Sequence, residues 1–579
     1  MTHAYAKIWP WLFAFCTLAP ERPVHAQVVT ATDAVGRSLP DNQVAGDPRT
    51  DRHVALFYFL WQDKVSTRHW DLTKIVSRHP EVLHDFHSPY WGGGGMYYWG
   101  EPLYGYYRAD DYWVQLRNMQ LLTDAGVDMV VIDATNGLVY PRAAEALMSA
   151  MDAIRKQGYE PPRIVFYTNS ASGKTMEKAY RAFYAPGAPY RHPDCWYRID
   201  GKPLIIGDEG QVKDTALTGF FTFRKPQWPN EPAKVNGWPW IDFVRPQRVY
   251  VDPHGQREIV SVSVAQHPNW KEAGMGGAAF YGNRDNWGRS YHQGVPGDPA
   301  KDLLYGYNFQ EQWDYALSQQ TPYVFVTGWN EWIAGRFPSN DGHPEHSWFC
   351  DEASAEYSRD LEPTRTAGLG DTYYLQLVAC IRRYKGIAGN PTVSGPQSIR
   401  NLSDWSAVAP VYRDYTGDVA PRDHPAAVTD PPIRYRNHTG RNDFHKLKVA
   451  RDRRNVYFYA ETTRPITPDT ARNWMRLYLD VDRDAKTGWL GYDYRVSEGR
   501  SLERYVGGKW EKVHALRCIV HENQLMITVP RHYLGLKGAL NIAFKWSDNM
   551  QDEGDPLDWY LNGDAAPGGR FSFVYKTGR

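Results

Sequence analysis

The sequence predicts an α/β chain, a (β/α)8 TIM-type barrel followed by an all-β sandwich. Three observations carry that prediction. Strand-like and helix-like segments alternate from residue 51 to 385, no GxGxxG follows the first strand, and beyond residue 400 strand-like runs are separated by turn residues. At 579 residues the chain exceeds the roughly 250–300 at which a single core stops growing, which fits two domains.

In chain order, residues 1–26 come first. Lys7, the apolar run from Ile8 to Leu18, and Val24-His25-Ala26 before Gln27 have the pattern of a signal peptide cleaved after Ala26. A secreted or periplasmic location is therefore expected. The run is too short to cross a bilayer, and no later stretch approaches the roughly 18 apolar residues of a span. Residues 27–50 form a polar leader.

The barrel expectation covers 51–385. It opens with the apolar strand His53–Trp61, followed by a long loop at 84–107 rich in Tyr and Trp. The four glycines Gly92–Gly95 in that loop lack a GxxxxGK[ST] context, so they read as a turn or a wall of a cleft, not a phosphate cradle. Helices are expected at 113–125, 142–157 and 174–183. Further strands are expected at 127–133, 163–168, 202–207, 219–223, 258–264 and 321–328. These make seven strands, and an eighth is expected at Ala278–Tyr281 or after residue 350. Residues 386–400 have linker composition, which implies that the two halves fold separately. The sandwich spans 401–579, with strands at 456–461, 475–480, 516–520, 525–529 and 539–546.

Composition narrows the partner. Lys plus Arg and Asp plus Glu both number 66, so the formal charge is 0, which argues against nucleic acid or an anionic membrane. Aromatics make up 14% of the chain, with 23 Trp and 39 Tyr, and such rings suit the apolar faces of sugars. Past the leader, Cys195, Cys350, Cys380 and Cys518 have neither zinc-ligand nor redox spacing, and no disulfide is required.

The strand ends carry the chemistry. In a parallel barrel these ends form the active-site rim. Asp133 closes one strand, Asp208 and Glu209 close another, Gln266 and His267 follow a third, and Asn330 with Glu331 follow the last. Each carboxylate alone is as well explained by a loop hydrogen bond; several on one rim point to acid–base work. Paired carboxylates are what glycosidic hydrolysis needs, one to protonate the leaving oxygen and one to act as nucleophile or activate water. No nucleophile elbow or HExxH motif competes. Glu331 is the leading catalytic residue, Asp133 its leading partner and Asp208 the reserve. Trp61, Trp91, Trp99, Asn136, His267, Trp329, Asn330 and Trp332 are the expected substrate contacts.

The segment Trp329-Asn-Glu-Trp332, with Arg359-Asp-Leu-Glu-Pro363 downstream and an early aromatic strand, resembles the barrel of glycoside hydrolase families 99 and 71 over residues 50–385. The resemblance implies cleavage of α-linked polymers such as mannans and glucans, by two carboxylates three residues apart. Glu331 matches the first; Ala334 stands at the second, so the partner must come from another strand. The second half resembles carbohydrate-binding modules of family 9, through Asp404-Trp405, Asn455–Tyr459, Asp480–Trp489 and Gly491-Tyr-Asp493. Asp480, Asp482 and Asp484 alternate there, as ligands of a structural Ca2+ or as an acidic turn. No cofactor is expected in catalysis.

The expected function is thus an exported glycoside hydrolase acting on a polysaccharide or oligosaccharide. The alternatives are a non-catalytic polysaccharide-binding protein on a degenerate barrel and, behind it, a polysaccharide lyase.

Overall fold

A computed structural model describes residues 28–64, 68, 70–268, 286–339, 342–351 and 354–578. The signal-peptide expectation and the strand expected at Ala278–Tyr281 lie outside the described residues.

A nearly closed barrel sheet dominates the first half. Its parallel strands are β1 (His53–Tyr58), β2 (Met129–Ala134), β3 (Arg163–Thr168), β4 (Lys202–Ile206), β5 (Thr222–Gln227), β6 (Gly237–Pro239), β7 (Arg257–Ser263) and β8 (Tyr323–Thr327). They are ordered β7-β8-β1-β2-β3-β4-β5-β6, each parallel to the next. Between the two edges lies the short strand Val249–Val251, antiparallel to β7, and its Val251 carbonyl accepts from the Asn236 N–H just before β6. Continuous apolar runs such as Val54–Tyr58 and Val324–Val326 are buried on both faces, as a sheet sandwiched between barrel interior and outer helices requires.

Helices α1 (Tyr112–Ala125), α2 (Pro141–Lys156), α3 (Ser172–Ala179), α4 (Thr215–Phe220), α5 (Tyr307–Gln319) and α6 (Thr372–Lys385) alternate with these strands. α1 begins with Asp111 capping Trp113 and ends on Gly126 at φ 81°, a conformation that glycine adopts without strain. No helix among the described residues is long and apolar enough to cross a membrane.

Three elements differ from expectation. Gly219 and Phe220 close helix α4 instead of opening a strand, because Asp214 caps Ala216 and starts a helical turn that runs up to β5. The strand after residue 350 is Ser347–Asp351, which pairs antiparallel with Ile333–Pro338 in a small sheet completed by Met96–Tyr98 outside the barrel. Residues Gly237–Pro239 supply a parallel strand that Pro239 had concealed.

The second half is a β domain of two larger antiparallel sheets and a two-stranded one, Arg422–Thr429 with Pro432–Asn437. Leu447, Val456 and Phe458 of one sheet pack on Leu477, Phe544 and Phe573 of the other. The halves are not independent. Ala427, Val428, Tyr560 and Phe571 belong to the same buried cluster as Tyr106, Trp113 and Tyr374 of the barrel half. Tyr560 Oη donates to Asp371 Oδ2 at 2.7 Å, and Arg570 and Arg422 reach across to Asp371 and Asp111. Linker composition at 386–400 reports only on that strand of chain, whereas non-local packing joins the two units. A chain ending at residue 390 is therefore expected to aggregate or to lack a cooperative melt. Calorimetry and size exclusion check this; a soluble, cooperatively melting fragment would show that the shared core is dispensable.

Candidate functional site

The site grows from the turn that follows β8. Trp329 N–H donates to Phe57 O at 2.9 Å, laying the turn across the end of β1. Asn330 then clamps it. Its Oδ1 accepts from Phe59 N at 2.9 Å while its Nδ2 donates to Phe59 O at 3.2 Å and to Tyr107 Oη at 3.1 Å. Gln62 Nε2 adds bonds to Phe59 O and Asn330 O, both at 3.0 Å. Glu331 is thereby fixed at the rim, 6% exposed.

The downstream segment 358–362 returns alongside this turn. Gly328 N–H donates to Arg359 O, and Glu362 N–H to Trp329 O. Arg359, fully buried, donates from Nη2 to Glu331 Oε2 at 2.7 Å and from Nη1 to His267 Nδ1 at 3.3 Å. A buried, charge-assisted bond of that length fixes a carboxylate more firmly than a neutral contact does. Asp360 Oδ1 accepts the Glu331 N–H at 2.5 Å. Burial and the neighbouring Glu331 charge hold the Asp360 carboxyl well above the usual range. Burial and Arg359 together push the His267 imidazole down to about 3, so it stays neutral and accepts the guanidinium bond.

Behind Asn330 lies a buried polar network. Tyr107 Oη donates to both oxygens of Glu362 at 2.9 and 3.0 Å, and Asn118 Nδ2 donates to Glu362 Oε1 and Tyr58 Oη, each at 3.2 Å. Burial raises Glu362 to about 8.

The predicted residues distribute unevenly. Asp133, 4% exposed, ends β2 and accepts from Thr135 N at 3.0 Å. The order β8-β1-β2 places it two strands from the Glu331 turn, roughly 10 Å between strand axes. Asp208 follows β4, two further strands away. It is half-buried and caps a turn by accepting from Gly210 N and Gln211 Nε2. Asn136 is exposed. Trp91, Trp99, Trp329 and Trp332 are all buried, which leaves no open ring face; Trp332 packs among Tyr98, Tyr106 and Tyr107 instead. Trp61 remains partly exposed. Asp480 and Asp482 approach Asp493, with carboxylate oxygens within 4.8 Å. Asp484 stands outside that group, and its Oδ1 accepts from Lys486 N.

Three contributors were not among the predicted site residues. Arg359 and Asp360 sat in the noted acidic segment, but nothing local to it says that it returns to Glu331. Trp240, partly exposed, lies 5.5 Å from the Arg359 guanidinium and 5.8 Å from Phe57. It follows the strand that Pro239 had concealed.

No family model matches the chain, and no curated protein matches it in sequence. Two solved structures of the GH99 endo-α-mannosidase from Bacteroides thetaiotaomicron, the second in complex with bis-tris propane, are similar over 57% of this chain and 97% of theirs. Identities are 12% and 13%, and TM-scores 0.33 and 0.32. At that distance, activity rests on the residues themselves.

The Glu362 network yields a pH prediction. A carboxyl raised from 4.5 to about 8 by folding contributes stability that is complete below 4.5 and is lost as pH rises toward 8. Glu362→Gln keeps the acceptor for Tyr107 and Asn118 but does not titrate. Denaturant melts at pH 5 and pH 8 should show the variant losing ~2 kcal/mol less than wild type across that interval. Parallel losses would refute the buried neutral carboxyl.

Proposed function

We propose that the chain is a glycoside hydrolase that cleaves a neutral polysaccharide or oligosaccharide with a carboxylate pair on a (β/α)8 barrel. The observation that carries this reading is the Arg359–Glu331 ion pair, buried at the C-terminal end of a barrel strand with Asp133 on the same rim. Glu331, held against a guanidinium, is assigned as nucleophile or base. Asp133 supplies the proton, because two strand spacings minus the inward reach of both side chains suit the roughly 5–9.5 Å that separates glycosidase carboxyls. Asp208, on the far side of the strand order with both oxygens engaged, ranks below it. Trp61 and Trp240 are the assigned sugar platforms. Secretion and a structural Ca2+ on Asp480, Asp482 and Asp493 complete the reading. The zero net charge supports a neutral glycan.

One observation favours a second reading. Ala334, where the family resemblance places the second carboxylate, is buried opposite Tyr97, so a binding protein without turnover is the rival. Incubation with a panel of α-linked glycans, followed by product chromatography, separates the two. Turnover is expected in wild type, with Glu331→Gln and Asp133→Asn each lowering kcat by about 100-fold or more while leaving binding in place. Binding without products from wild type would establish the rival, and full activity in Asp133→Asn would pass its role to Asp208.

A further inference from the structure

The junction of the two halves holds a second concentration of acid that the proposed chemistry does not use. Asp418, Asp443 and Asp564 each offer a carboxylate oxygen, all within 4.8 Å of one another. Three separate elements bring them together. Asp418 follows the strand Tyr412–Arg413, Asp443 precedes the strand Phe444–Arg451, and Asp564 opens the strand Asp564–Ala566. Their hydrogen bonds orient them without neutralising them: Gly417 N and Thr463 Oγ1 donate to Asp443, and Phe444 N donates to Asp564. The cations that face these carboxylates are His445 and Arg464 toward Asp443, Arg117 toward Asp418 and Asp564, and Lys545 toward Asp414 and Asp564.

Two further observations point to a missing ligand. Asp414, 5% exposed, has a buried Oδ2 that meets no donor, and Asp418 Oδ1 is likewise unmet. A cavity of about 50 Å³ opens on Asp418 and Asp564, walled on the barrel side by Arg117 and Gln120 of α1. Arg117 spends an N–H on the Asp418 backbone carbonyl at 2.7 Å and Lys545 donates to the Pro567 and Phe571 carbonyls, so neither forms an ion pair with these carboxylates. Carboxylate oxygens without thiol or imidazole select a hard cation.

We propose that Asp418, Asp443 and Asp564, with Asp414 beside them, bind a divalent cation of the calcium class where the β domain meets helix α1 of the barrel. The test uses the full chain carrying Asp482→Asn, so that the Asp480–Asp482–Asp493 group does not contribute. After stripping with EDTA, CaCl2 is titrated by calorimetry and melting is followed with and without the ion. One equivalent of Ca2+ should bind and raise Tm. Asp418→Asn and Asp443→Asn should each abolish binding and the Tm response, yet melt no lower than the parent in EDTA, because each removes a repelling charge. If one variant fails to fold, the other decides. No binding by the parent, or an undiminished response in a folded variant, overturns the proposal. Neither result depends on glycan turnover.

Discussion

The side-chain amide of Asn330 is the constraint on which the rim depends. One face of it reads both backbone groups of Phe59, and the other reaches Tyr107, so the end of β1, the turn after β8 and the Glu362 network share one set of hydrogen bonds. No aspartate could replace it, since a carboxylate has no N–H for Phe59 O or Tyr107 Oη. Glu331 depends on this geometry twice. Its backbone is carried by the turn, and the segment that delivers Arg359 and Asp360 is hydrogen-bonded to the same turn.

The interior accepts an unusual load of acid to achieve this. Asp360 and Glu362 lie close behind Glu331, and both are pushed toward the neutral form by burial. A buried polar network of that kind is favourable only when every member is satisfied. Around Glu362 the tyrosine and asparagine donors meet both carboxyl oxygens, whereas Asp360 Oδ2, Asp414 Oδ2 and Asp418 Oδ1 meet no donor.

Much of the fold was legible because buried strands announce themselves. His53–Tyr58 and Tyr323–Thr327 are apolar almost throughout, and Asp133 and Glu331 stand out by interrupting such runs. Gly237–Pro239 was not legible, being three residues long with a proline. Trp329 and Trp332 show a second limit: an indole beside a strand end suits a core or a ligand equally well, and only the packing of Tyr98, Tyr106 and Tyr107 around Trp332 decides. The Arg359–Glu331 pair was hidden for a third reason. Its members are 28 residues apart, joined by a hairpin excursion through Ile333–Pro338 and Ser347–Asp351 whose return no local pattern encodes.

The edge pairing of Val29–Thr30 with Ser572–Phe573 ties residues more than 540 positions apart into one sheet. A chain synthesised from its N-terminus cannot form that edge until residues 572–573 have been made. Loop closure over such a span is slow, and the barrel face covered by Tyr560 and Phe571 stays open meanwhile. The first strand therefore waits unpaired for Ser572–Phe573, and the barrel face for Tyr560 and Phe571.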